Sequence, residues 1–465
     1  MARIPFAIQS YRHRDLPVSA QRCINWFVEA EPQDARSKLV LLPTAGLERF
    51  TLLPTGPIRG MKVMGAYIYA VSGVGVYRVD VRGASVLLGT IADGGAVTMA
   101  DNGTQMAIVV PETTQAWYAT DSALTQIADP DFGGAVAVTS LDGYGIFVTP
   151  DSTQFFISAL KDMSSFDALD FASAEADPDN LVTALRVGRE LWLFGERTTE
   201  IWANTGASDF PFQRISGAFI ERGCAARNSV AQLGGIPFWL GDNRLVYQGA
   251  GASAPVRIST HAIEQDIAGY ATVADARGQI YEQEGHTFYV LTFPSAQTTW
   301  VYDVTTSVWH ERESEGYNFW RALNAVAYAG AMVAGDAVDG KLYIISPTAC
   351  FEDGDQIIRV ADGTEIVSSG KRMFHTQLTL DITTGVGLTS GQGSDPTIAL
   401  SWSDDGGRTY GDERTAALGP LGVFATRVQF NRLGSSRQRV YRLQLSDPVR
   451  VAISAMDLDA RPGAN

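Results

Sequence analysis

The stretch Ile68-Tyr-Ala-Val-Ser-Gly-Val-Gly-Val-Tyr-Arg-Val-Asp-Val-Arg-Gly-Ala-Ser-Val-Leu-Leu-Gly-Thr-Ile91 decides the fold class. Ile68 to Val71, Val76 to Val81 and Val86 to Ile91 are short runs rich in β-branched and aromatic residues. Turn formers separate them at Ser72 to Gly75 and Arg82 to Ala84. Links this short join only antiparallel neighbours, so the segment predicts a β-meander.

Looser copies of the unit start near Ala96, Ala135, Val182, Ser229, Ala274 and Ala325. Each has an apolar strand followed by a Gly- or Asp-centred turn, as in Gln105-Met-Ala-Ile-Val-Val110, Gly145-Ile-Phe-Val148, Glu190-Leu-Trp-Leu-Phe194, Pro237-Phe-Trp-Leu240, Thr287-Phe-Tyr-Val-Leu291 and Lys341-Leu-Tyr-Ile-Ile345. A spacing of roughly 35 to 50 residues per four-stranded unit is the period of β-propeller blades. Aromatics recur late in the units, at Trp117-Tyr118, Phe155-Phe156, Trp202, Tyr247 and Trp300-Val-Tyr302, and large flat side chains are what fill the wedge between radial sheets. The reading is an all-β chain with a six- or seven-bladed propeller over residues 58–347; a pair of β-sandwiches is the rival. Residues 1–57 carry scattered prolines (Pro5, Pro17, Pro32, Pro43, Pro54, Pro57) and read as an extended N-terminal arm. Residues 348–370 read as a connector, and 371–465 as a C-terminal β-sandwich ending in Val440-Tyr-Arg-Leu-Gln-Leu445 and Val449-Arg-Val-Ala-Ile-Ser454.

Composition narrows the function. No apolar run of about 18 residues occurs, and the opening carries Arg3, Arg12, Arg14 and Asp15, so neither a membrane span nor a signal peptide is expected. Cys23, Cys224 and Cys350 are odd in number and far apart, which argues against a disulfide framework or a CxxC metal clip. No two of His13, His261, His286, His310 and His375 stand at helical metal-ligand spacing. With 36 basic against 51 acidic residues the net charge is −15, which excludes a whole-protein field that attracts phosphate. An acidic inner wall would instead keep a passing duplex from sticking.

Two motifs suggest a sialidase: Ala2-Arg3-Ile4-Pro5, and the Asp-box Ser403-Asp-Asp-Gly-Gly-Arg-Thr-Tyr410. The Asp-box is a device for building a hairpin, it stands here as a single copy outside the blades, and no carboxylate pair is singled out for glycoside hydrolysis. Gly73-Val-Gly75 reads as a hairpin turn, with no Walker lysine or nucleophile elbow elsewhere. Asp151, Asp242 and Asp336 read as turn formers, not calcium ligands. Arg427, Arg432, Arg437, Arg439, Arg442 and Arg450 read as a salt-bridged sheet face or subunit interface, with contact to DNA or an acidic neighbour as the second reading. No catalytic, cofactor-binding or metal residue is nominated, and the chain reads as a non-enzyme without cofactors.

Arg22-Cys-Ile-Asn-Trp-Phe-Val-Glu29 followed by Leu41-Leu-Pro-Thr-Ala-Gly-Leu47 resembles the opening of the packaged-DNA stabilisation (tail hub or nozzle) proteins of short-tailed bacteriophages, the podoviruses. Gly145-Ile-Phe-Val-Thr-Pro-Asp-Ser-Thr-Gln-Phe-Phe-Ile-Ser158 resembles the region before that family's central blades. Ser401 to Tyr410, Leu418-Gly-Pro-Leu-Gly-Val-Phe-Ala-Thr-Arg427, Arg432 to Arg439 and Ser446-Asp-Pro-Val-Arg450 resemble its closing region. The resemblance implies a virion tail protein, made in the host bacterial cytoplasm and assembled as a homo-hexameric ring beneath the portal and head-to-tail adaptor. Such a ring retains packaged DNA, conducts it during ejection without reading its sequence, and supports fibres, spikes or a needle, touching the host membrane only indirectly. The arm to Pro57 would then reach a neighbouring subunit. A carbohydrate-binding or glycan-processing propeller of the virion is the alternative.

Overall fold

The computed structural model describes every residue except 1, 7, 14, 16–18, 32–37, 176 and 464–465, so Arg14, Pro17 and Pro32 lie outside the described residues. The meander read from residues 68–91 is the first blade, made of Ile58–Met64, Tyr67–Ser72, Gly75–Val79 and Ser85–Thr90 paired in sequence order. Inner strands beginning at Thr98, Ala137, Leu181, Ala231, Arg277 and Ala322 open the following units, which makes seven blades.

The seventh blade is not built from consecutive chain. It holds Ala322–Tyr328, Ala331–Asp336 and Lys341–Ser346, and its outermost strand is Gly46–Leu52, antiparallel to Lys341–Ser346 with Gly46 opposite Ser346 and Leu52 opposite Lys341. The ring is thus closed by hydrogen bonds between its two chain ends. Aromatic side chains fill the wedges between blades as expected: Phe155 meets Trp202 at 5.1 Å, Phe194 meets Trp239 at 5.4 Å and Phe238 stacks on Tyr289 at 5.3 Å between ring centroids.

The segment read as an extended arm is woven into this chain's own sheets. Trp26–Ala30 pairs with Leu39–Pro43, and both belong to a sandwich sheet with Ile453–Pro462, Met373–Ile382 and Val428–Ser436, where Ala2–Ile4 also pairs with Ile453–Pro462. Ala20–Ile24 pairs antiparallel with Arg359–Asp362 and touches the outer strand of blade six in parallel at Ile24 and Glu311. Blade six therefore runs on, through Ala20–Ile24 and Arg359–Asp362, into Gln438–Leu445, Thr397–Ser403 and Arg414–Ala417, so one continuous sheet serves propeller and sandwich. Between the sandwich sheets lie Cys23, Trp26, Val28 and Leu41 from the N-terminal part, packed with Leu378, Leu400, Leu443 and Ile453. Asn25 secures the crossover. It holds a left-handed φ of 58°, which asparagine tolerates, and its amide donates to the carbonyls of Glu313 (2.9 Å) and Ile358 (2.8 Å).

Two buried histidines set an acid limit. His310, 1% exposed in blade six, has neither ring nitrogen hydrogen-bonded within the chain, and burial pushes its pKa down to about 3. His375, between Ser436 (2.9 Å) and the Tyr441 hydroxyl (3.0 Å), is pushed down to about 4, first by burial and then by the Arg439 charge. His286 runs the other way, its pKa raised mainly by its hydrogen bond with Asp303 at 2.8 Å. An unfolded histidine takes up its proton near pH 6.5, whereas His310 and His375 refuse it until about 3 and about 4. Their stabilisation is complete above pH 6.5 and shrinks by about 1.4 kcal/mol per group for each pH unit below it; His286 offsets part of this, and its own contribution fades as pH rises through its raised pKa. Urea unfolding at pH 7 and pH 5 should show a smaller acid loss for His310→Phe than for the parent. An unchanged loss would place the acid sensitivity elsewhere.

Candidate assembly surfaces

The polar motifs turn out to be structural. In the Asp-box, the Ser403 hydroxyl accepts the Gly407 amide (2.8 Å), Asp405 accepts the amides of Arg408 (2.9 Å) and Thr409 (3.0 Å), and Gly406 and Gly407 take φ of 77° and 88°. Both side chains are consumed by their own hairpin, and Arg442 covers Tyr410 at 3.7 Å from its ring centroid. Asp336 accepts the Val338 amide (2.7 Å) and Asp242 the Gly223 amide (3.2 Å), while Asp151 occupies a turn at φ 47°. The three cysteines are buried and unpaired with one another. Among the described residues no three His, Cys, Asp or Glu side chains gather as a metal group.

The six C-terminal arginines divide by task. Arg439 forks onto Asp404 (2.6 and 2.7 Å) and Arg442 onto Asp362 (2.6 and 2.7 Å), the geometry that suits a planar guanidinium and carboxylate. Arg437 donates to the Gly370 carbonyl, and Arg450 reaches the Pro347 carbonyl and Glu284, tying sandwich to propeller. Arg427 and Arg432 are exposed and form no ion pair among the described residues.

On the propeller axis, Lys62 of blade one lies within the fields of Asp101 in blade two and Arg186 in blade four. Arg59 and Arg277, near the starts of the inner strands of blades one and six, and Arg227, just before blade five, all lie in the field of Glu112. Arg59 donates to the carbonyls of Gly95 (2.7 Å), Gly73 (2.9 Å) and Ala92 (2.9 Å), so it pins blade connections. A 410 Å³ cavity flanks the inner strands, lined by Met61, Gln232, Gln279 and Asn324.

What stands out is apolar surface. Single exposed hydrophobic residues are ordinary; clusters mark contacts. One exposed apolar stretch runs along the outer edge of blade one, with Val86 and Leu87 on its last strand, Val81 in the preceding turn and Leu52 at the end of the closing strand, 48, 54, 60 and 56% exposed. Thr51 donates to the Gly83 carbonyl (2.8 Å) and holds that turn against the closing strand. A second, on blade three, is Leu169 and Phe171, two apart on the outer strand Asp162–Ser173 and 80 and 45% exposed. The third is the tip of the sandwich, where Leu388, Leu421, Val423 and Phe424 are 42, 62, 47 and 74% exposed. Its two loops are one unit: Gly385 donates to the Leu418 carbonyl (2.9 Å), Gly422 to the Gly385 carbonyl (3.0 Å) and the Thr384 hydroxyl to the Phe424 carbonyl (2.8 Å). Gly385, at φ 72°, lies flat against the Phe424 ring, where a Cβ would come within 2.7 Å. The sequence carried the signal, an apolar Leu421-Gly-Val-Phe424 run among polar turns, but not its exposure.

Profiles built on bacteriophage P22 Gp10 account for both halves: its beta-propeller matches residues 4–350 and its beta-sandwich residues 359–461. The chain belongs to the bacteriophage P22 Gp10 family. It is accordingly a structural protein of the phage virion, of the kind that stabilises packaged DNA. The family is one of structural phage proteins. Among solved structures the likeness is distant. A streptogramin B lyase is 12% identical, covering 65% of this chain and 98% of its own, with a TM-score of 0.42. A catalytically inactive virginiamycin B lyase from Staphylococcus aureus, solved with quinupristin, is 10% identical over 64% and 99% of the two chains, TM-score 0.44. YCF48 from Cyanidioschyzon merolae is 13% identical over 65% and 99%, TM-score 0.42. No curated protein sequence matches this chain significantly.

Proposed function

We propose that the chain is one subunit of a homo-hexameric hub or nozzle ring in the virion tail, continuing the portal–adaptor channel, retaining packaged DNA and conducting it during ejection. The observation that carries this reading is the pairing of family membership with separate, unlike apolar clusters on one sheet-linked body. A closed ring with head-to-tail contacts needs two different complementary patches on every subunit, whereas a free monomer gains nothing from them. In this reading the blade-one edge and the Phe424 tip face neighbouring subunits, exposed Arg427 borders that contact, and the blade-three cluster is left for adaptor, fibre, spike or needle proteins. The overall negative charge suits a lumen through which duplex DNA slides without sequence-specific binding.

The test is the mass of the purified chain, alone and with its adaptor, by light scattering, with negative-stain images for symmetry. Rings are expected from the parent. Phe424→Ser combined with Leu421→Ser should stay monomeric while melting like the parent, because neither side chain supports the core. A parent that remains monomeric with and without the adaptor would overturn the proposal.

A further inference from the structure

Where propeller and sandwich join, one buried cluster sets two guanidinium groups against one carboxylate. Arg359, 0% exposed, has no nitrogen or oxygen partner within the chain for any of its three guanidinium nitrogens, and only the Cys350 sulfur stands beside it as a weak acceptor. The indole nitrogen of Trp26, whose ring centre lies 6.0 Å from the Arg359 guanidinium carbon, is also buried and unpartnered, as is Nε of Arg312. Arg312 is itself 0% exposed; it donates to the Ala45 carbonyl (2.7 Å), lies 3.4 Å from Glu352 and stacks at 3.7 Å over Trp320. Glu352 also accepts the Trp320 indole N–H (2.9 Å). Neighbouring Arg321 is matched by Asp336 at 2.6 Å. That leaves Arg312 and Arg359 facing the single carboxylate of Glu352, one positive charge in excess, beside the Cys350 thiol.

Guanidinium and indole groups are donors only, and against the unpartnered nitrogens of Arg359, Arg312 and Trp26 stands one unpartnered acceptor, the second Glu352 carboxylate oxygen, so donors remain in excess. A buried, unpaired charge costs several kcal/mol, and a neutral water would answer the hydrogen bonds without the charge. We propose that this junction holds a small monovalent anion of halide type, bound by Arg359 and the Trp26 indole N–H. Four separate stretches meet around it: the N-terminal strand Trp26–Ala30, the exit of blade six at Arg312, the link carrying Cys350 and Glu352, and the sandwich strand Arg359–Asp362. The anion would therefore fasten the propeller to the sandwich.

The experiment is unfolding of the full chain in sodium chloride against sodium gluconate at equal ionic strength, with bromide-soaked crystals read by anomalous diffraction. A ligand bound only by the folded state multiplies the folded-to-unfolded ratio about tenfold for each tenfold rise in its concentration above its dissociation constant. That dependence is expected on chloride and not on gluconate, with a bromide peak beside Arg359, and Arg359→Met should abolish both. Should Arg359→Met fail to fold, the parent's two salt series and its bromide map decide alone. Coincident curves in the two salts with no bromide peak would overturn the proposal and leave water in the site. Chloride dependence seen in Cys350→Ser but not in the parent would also overturn it, naming the Cys350 thiolate as the native counter-charge.

Discussion

Removing residues 1–52 should leave no cooperative unfolding transition in either half of the molecule. An extended arm would be dispensable to its own subunit, and these residues are not. Their loss takes the outermost strand from blade seven, exposing Lys341–Ser346 as a new edge. It also strips Cys23, Trp26, Val28 and Leu41 from the sandwich interior and Phe27 and Leu47 from the packing around Trp320 and Tyr343. A milder variant isolates the closure: Leu47, 0% exposed, lies on the closing strand, and Leu47→Ala should cost about 2 to 5 kcal/mol in urea unfolding. A truncated chain with the parent's thermal transition would show that blade closure and the N-terminal strands are unnecessary.

The second large effect belongs to Asp336, a residue the sequence marks only as a turn former. It is 0% exposed, and one carboxylate oxygen accepts the amides of Val338 (2.7 Å) and Asp339 (3.3 Å). The other faces Arg321 at 2.6 Å and accepts the buried Tyr343 hydroxyl. Asp336→Ala removes the turn acceptor and strands a largely buried guanidinium, so a loss of about 3 to 5 kcal/mol is expected. Asp336→Asn keeps an acceptor for the turn and should cost less. Denaturant midpoints at one pH distinguish them, and a loss below about 1 kcal/mol for Asp336→Ala would mean that Asp339 and Asp355 take over the arginine.

Where a strand and its partner are close in sequence, the turn between them announces the pairing. That is why the 68–91 meander and the later units were legible, and why the Asp-box could be recognised as a hairpin. Gly46-Leu-Glu-Arg-Phe-Thr-Leu52 has strand-like residues too, but its partner begins at Lys341, and no local signal names a strand so distant. The same holds for Ala20–Ile24 against Arg359–Asp362, so residues lacking a nearby partner looked like an arm. Of the candidate surfaces, Leu421, Val423 and Phe424 could be read as apolar but not as exposed. Arg359 could be read as charged but not as buried, because burial is decided by packing from four separated stretches.

The strand pairing also bears on how the protein is made. Ala2 pairs with Leu458 and Gly46 with Ser346, so these two strands leave the ribosome long before their partners. Blades one to five can form in order as they emerge, each from consecutive strands. The N-terminal strands must wait meanwhile with their edges open, and long-range pairing of this kind folds slowly and invites association between nascent chains. A polysome crowded with copies is thus the setting in which this architecture is most exposed to pairing with the wrong molecule.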